Sequence, residues 1–129
     1  MCELYNRRIV HCDLKPGNIL ISKRGHLAIA DFGISLVADS REDDEKEFEE
    51  CIFHAYGGTY AYQAPEMLIS RGASDFTCAV DMWSLGVIIY EMYTGKVRPL
   101  AILAATSLEL TGPTPLLRDM MRSATLLCR

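Results

Sequence analysis

Apolar and polar positions change period several times along this chain, and each change marks an element. Residues 1–8, MCELYNRR, are helix formers with no N-cap and no preceding loop, so they read as the last turns of a helix that the sequence enters late. Ile9-Val10 is a brief extended step into a polar loop, where Pro16-Gly17 forbids helix continuation. Two short apolar runs, 19–21 and 27–29, flank a Lys-Arg-Gly turn and predict a β-hairpin with a polar motif beside each strand. Residues 35–57 have no clear period, which predicts a long surface loop with a helical turn near EDDEKEFEE. The stretch GGTYAYQAPEML reads as turn chemistry followed by the start of a helix.

The best helix is 80–94, VDMWSLGVIIYEMYT, closed by Gly95 in the C-cap position. Its apolar residues cover most of its circumference, which predicts a central helix with neighbours on several sides. After it, RPLAILAATSLEL and PLLRDMMRSATLLCR both read as helices, separated by the breaker TGPTP. The expected fold class is α+β, mainly helical: a short β-hairpin, and helices around a buried central helix.

Composition adds limits. At 129 residues the chain is at most one domain, and at 50% apolar residues it can build a core. The formal charge of −4 argues against nucleic acid or an anionic membrane as partner, since both call for a concentrated basic surface. Residues 39–50 alone hold eight acids and two bases, a local charge of −6, so the remainder carries +2. Five cysteines, odd in number and never spaced as CxxC, fit neither a disulfide framework nor a zinc site and place the chain in an intracellular compartment, cytoplasmic or nuclear. No apolar run approaches the roughly 20 residues of a membrane span.

The candidate chemistry lies in HCDLKPGNIL, residues 11–20, where an acid, a base and an amide follow one another as Asp13, Lys15 and Asn18. Phosphoryl transfer asks a protein to orient an attacking hydroxyl and neutralise phosphate oxygens, so its signature is carboxylates and amides on rigid turns. With HCDLKPGN come DFG, GTYAYQAPE and DMWSLGV, and Asp13, Asn18, Asp31 and Glu66 are five, thirteen and thirty-five residues apart in turn. In order and spacing these four motifs resemble the eukaryotic-type serine/threonine protein kinase catalytic domain, large (C-terminal) lobe.

The resemblance implies a role for each matching position. Asp13 would accept or orient the proton of the substrate hydroxyl, and Lys15 would touch the γ-phosphate of ATP. Asn18 and Asp31 would hold magnesium, hard oxygen donors for a hard cation. Phe32 would pack and Gly33 would pivot. Thr59 would tie the substrate-binding loop to Asp13 and Lys15, and with Lys15 it points to serine or threonine of a protein substrate as the acceptor. Glu66 would pair with a late arginine, for which Arg129 is the candidate, and Asp81 would brace the backbone of the catalytic loop. His11 reads as a hydrogen-bonded structural residue.

On this reading, residues 1–129 form a partial kinase domain with catalytic loop 11–18, magnesium loop 31–33, activation segment 31–66 and central helix 80–94. The family's glycine-rich loop, strand lysine and helix acid have no counterpart here, so the nucleotide-covering lobe is expected to be absent. Transfer by this chain alone is then in question, and the alternative is a catalytically inactive, truncated interaction module or a gene-prediction fragment. An exposed apolar patch is expected around the central helix. Cys12 stands where the family carries an arginine that receives an activation-segment phosphate, which implies activation independent of a phosphorylated loop.

Overall fold

A computed structural model describes residues 2–38, 48, 51–54, 57–69 and 75–97. Helix α1 (Cys2–Asn6) leads through a turn at Arg8 into strand β1 (Ile9–Val10), and a 3₁₀ turn (Pro16–Asn18) opens the hairpin β2 (Ile19–Ile21) and β3 (Leu27–Ile29). Strand β4 (Leu36–Val37), helix α2 (Pro65–Ile69) and helix α3 (Ala79–Thr94) follow.

The hairpin register pairs Ile19 with Ile29, Leu20 with Ala28 and Ile21 with Leu27. Ala30 donates its amide to the Asn18 carbonyl at 2.9 Å, which carries the ladder one step past the strands. Asn18 and Asp31 therefore lie at the same open end of the hairpin. Gly25, with φ of 80°, turns the chain at the other end.

A second pairing appears where the sequence pattern predicts a lone extended step and the start of a surface loop. β1 and β4 pair antiparallel, Ile9 with Val37 and Val10 with Leu36. Two residues per strand are too few to register as a period, so only the partner across the sheet reveals them. The same applies further into the expected loop 35–57, where Phe48, Cys51 and Phe53 are buried members of the core. Phe53 and Phe76 form an isolated antiparallel bridge with both backbone bonds made, at 2.8 and 3.2 Å. Apolar residues scattered among acids are still withdrawn from water when a neighbouring wall is available.

The core joins Val10, Cys12, Ala64, Phe76, Val80, Trp83 and Val87 with these loop residues. α3 supplies one wall of it and ends as the sequence predicts, with Gly95 in the left-handed region (φ 68°) and its amide on the Glu91 carbonyl at 2.8 Å. The sequence predicts neighbours on several sides of this helix and an exposed apolar patch beside them, and the described residues show a buried and an exposed apolar face. Val80, Trp83, Val87 and Ile88 are buried, whereas Ile89, Met92 and Tyr93 are exposed. Among the described residues α3 packs against loops and the one-turn helix α2, not inside a ring of helices. The two helices expected after residue 97, and Arg129, lie outside the described residues.

Candidate active site

β1 delivers the chain to His11, which is fully buried, and to Cys12, which adopts a left-handed conformation at φ 65°. A non-glycine residue there costs roughly 1–2 kcal/mol and persists only where its surroundings fix it. The fixing group is the Asp81 carboxylate from the first turn of α3: His11 donates its amide to Oδ2 at 2.6 Å and Cys12 donates to Oδ1 at 2.9 Å. The His11 ring is equally committed. Its Nδ1 accepts the Asp13 amide at 3.3 Å and its Nε2 lies 3.1 Å from the Ala30 carbonyl, so an amide donor on one side and a carbonyl acceptor on the other select the neutral ring protonated at Nε2.

Beyond this brace the polar groups converge. Lys15 Nζ lies 2.7 Å from Asp13 Oδ2 and donates to Thr59 Oγ1 at 2.9 Å. Thr59 in turn gives both its amide and its hydroxyl to Asp13 Oδ1, each at 2.8 Å. Asn18 Nδ2 donates to the Asp13 carbonyl at 2.9 Å and more weakly to its Oδ2 at 3.3 Å. Residues separated by up to 46 positions thus close on one carboxylate.

Burial tends to raise the Asp13 carboxyl, but the hydrogen bonds from Lys15 and Thr59, with the Lys15 charge, outweigh it and hold the group below its ordinary value. Asp13 is therefore an anion at neutral pH. Asp81 shifts the other way: burial raises it, against the opposing pull of the two amides. Burial and the neighbouring Asp81 push the Cys12 thiol up to about 12, so it is a neutral packing group. Glu66, in α2, is raised by burial.

Asp31 is exposed and, like Cys12, sits at positive φ (63°), with Oδ1 3.4 Å from the Gly33 amide. Among the described residues no hydrogen bond joins it to Asn18 or Asp13. Since Nδ2 of Asn18 is spent on Asp13, its carbonyl oxygen is the end left for a ligand, and the exposed Asp31 carboxylate is the second hard donor at that hairpin end. Two oxygen donors and no cage is the donor set expected for magnesium, which keeps several waters. No group of three His, Cys, Asp or Glu side chains able to hold a metal occurs among the described residues.

Comparison with known proteins gives the family. The protein kinase domain matches residues 1–105. The chain belongs to the protein kinase domain family. This kinase domain is similar to ribosomal protein S6 kinase alpha-6 of Danio rerio (44% identity over 95 residues, 74% of this chain and 11% of that protein). It is also similar to the serine/threonine-protein kinase YPK1 of Saccharomyces cerevisiae (44% over 93 residues, 72% of this chain and 12% of that protein). A third relative is CBL-interacting serine/threonine-protein kinase 12 of Arabidopsis thaliana (40% over 89 residues, 69% and 17%). The matched part of the chain spans between about a tenth and a sixth of the length of these relatives.

Of the kinase-domain residues singled out in the sequence, Asp13, Lys15, Asn18 and Thr59 meet directly, Asp81 sits immediately behind them, and Asp31 stands apart at the hairpin end. Sequence reasoning missed Gly58, Tyr62, Ser84 and Glu91. Gly58 has φ of 94°, and a Cβ there would lie 2.8 Å from the Cys12 carbonyl and 2.9 Å from Gln63 Nε2. The Gly57-Gly58 pair signals positive φ. Ser84 and Glu91 are signalled as polar interruptions of an apolar helix, in step with Asp81.

Proposed function

We propose that this kinase domain is the large-lobe portion of a serine/threonine protein kinase, which transfers the γ-phosphate of Mg-ATP to a serine or threonine of a protein substrate. The observation that carries the reading is the closed constellation of Asp13, Lys15 and Thr59, with hydrogen bonds of 2.7 to 2.9 Å. The names of the relatives, two of which specify serine/threonine kinases, support the acceptor class.

In this reading Asp13 is the group that meets the acceptor hydroxyl. Held below the ordinary carboxylate value, it is a poor base early in the reaction and a good hydrogen-bond acceptor throughout. It orients the hydroxyl oxygen toward phosphorus and takes the proton late, as the new P–O bond forms and the bond to the departing diphosphate breaks. Lys15, already beside Asp13, supplies a positive charge to the transferring phosphate. Thr59 fixes the acceptor loop against both. Asn18 and Asp31 would hold magnesium, whose charge would neutralise phosphate oxygens. We place the activity inside the cell, in cytoplasm or nucleus.

A thermal melt tests the nucleotide half of this proposal. With magnesium and ATP at about 100 times the dissociation constant, binding stabilises by roughly 2.7 kcal/mol and raises the midpoint by several degrees. Asp31→Asn should remove most of that shift while leaving the unliganded stability within about 0.5 kcal/mol of the parent, because the side chain is exposed. A parent chain that melts cooperatively with no magnesium-dependent shift overturns the assignment of nucleotide binding to this chain.

A further inference from the structure

Thr59 is held from downstream by the Tyr62 amide, which donates to its carbonyl at 2.9 Å; Tyr62 is itself bonded to Ser84 and Glu91 of α3, at 2.8 and 2.7 Å. From upstream the chain arrives through a run of aromatic rings. The Tyr5 ring of α1 meets Phe48 edge-on with centroids 5.2 Å apart, Phe48 meets Phe53 in the same way at 6.0 Å, and Phe53 stacks on Phe76 at 6.4 Å. Phe48, Phe53 and Phe76 are buried, and Phe53 exchanges both backbone hydrogen bonds with Phe76. Cys51, fully buried between the two rings of this segment, accepts a hydrogen bond from Arg8 Nη2 at 3.2 Å. Three parts of the chain far apart in sequence, α1, residues 48–53 and the approach to α3, are thus joined by carbon surface withdrawn from water. In sequence Phe48 stands between Glu47 and Glu49, inside the most acidic stretch of the chain.

We propose that Tyr5, Phe48, Phe53 and Phe76 form an aromatic latch that holds the upstream side of the acceptor loop, so that Thr59 is set against Asp13 by apolar packing and without an added phosphate. The anchor needs no charge. Between Ser40 and Thr59 the only hydroxyl-bearing residue is Tyr56, and Cys12, a neutral thiol, packs in the same core as the latch. The latch acts by shortening the free chain. With Phe53 fixed, five residues separate the anchor from Thr59; among the described residues the next buried one upstream of the latch is Ala38, twenty residues away from Thr59. Closure probability falls with the three-halves power of loop length, so full release makes the Thr59 contact about eightfold less favourable. This inference rests on the reading of Asp13 and Thr59 as the groups that meet the phosphate acceptor, but its test needs no turnover.

The readout is hydrogen exchange of the Thr59 amide, which bonds to Asp13 Oδ1, in the ¹⁵N-labelled 129-residue chain made in bacteria and shown by its mass to carry no phosphate. We expect this amide to be protected in the parent. In Phe48→Ala/Phe53→Ala its exchange rate, divided by that of the Ala30 amide at the end of the hairpin, should rise about eightfold. Taking the ratio removes any general loss of stability, which quickens both amides alike. The proposal is overturned if Thr59 is unprotected in the unphosphorylated parent, or if the ratio in the double variant equals that of the parent. Should the double variant not fold, Phe48→Leu/Phe53→Leu, which keeps most of the apolar volume and removes the ring contacts, decides by the same ratio, with about a threefold rise expected. Failure here leaves the transfer reading intact, and failure of nucleotide binding leaves this result intact.

Discussion

At the scale of single residues, the site is a set of donors arranged around one carboxylate, and its weakest tolerance is for added atoms. Gly58 sits between the catalytic-loop backbone and Gln63, at a φ that L side chains rarely adopt. Gly58→Ala adds both backbone strain and a carbon 2.8 Å from a carbonyl oxygen that cannot swing away. We expect a loss of about 2–3 kcal/mol in a chemical or thermal melt, with the Thr59–Asp13 contact lengthened. A variant as stable as the parent would show that the segment has room to retreat. Asp13, Lys15, Asn18 and Thr59 could be picked out from the sequence because their motifs stand in order. That Thr59 would meet Asp13 came only from the family resemblance, since the two stand 46 positions apart along the chain and spacing alone does not bring them together.

Elements are the next scale, and here short strands and long helices behave differently. α3 was legible because fifteen apolar-rich residues and a terminal glycine leave little else for residues 80–94 to do. Gly95 makes the contrast with Gly58: it too has positive φ (68°), but among the described residues nothing lies within 4 Å of an added Cβ. Gly95→Ala should therefore cost only the backbone preference, about 1 kcal/mol, seen as a small fall in melting midpoint with an unchanged unfolding slope. A loss of 3 kcal/mol or more would mean that the helix end is packed against something. β1 and β4 were not legible as a pair, because two residues per strand carry no period and their stability comes from the Cys12 turn and the core that flanks them.

On the scale of the whole molecule, buried acids link stability to pH in opposing senses. Glu66 and Asp81 are raised by burial, so each favours the fold while protonated; that contribution is complete below the ordinary carboxylate value and is lost as pH rises through the raised one. Asp13, held low despite its burial, contributes above the ordinary value and loses that contribution as pH falls. From the ordinary carboxylate value upward through the raised one, the two acids therefore draw stability down. Glu66→Gln removes one of them, so the melting midpoint of the variant relative to the parent should climb across that range; a constant difference would sink the idea. The sequence by itself determined the family motifs, the hairpin and the long helix, because periodicity, turn residues and motif order are local properties. Tertiary structure alone decided that residues of the acidic loop enter the core, which face of α3 stays in water, and that Ser84 and Glu91 hold Tyr62. Each of those depends on what lies across from a residue in space, and distance along the chain does not encode that.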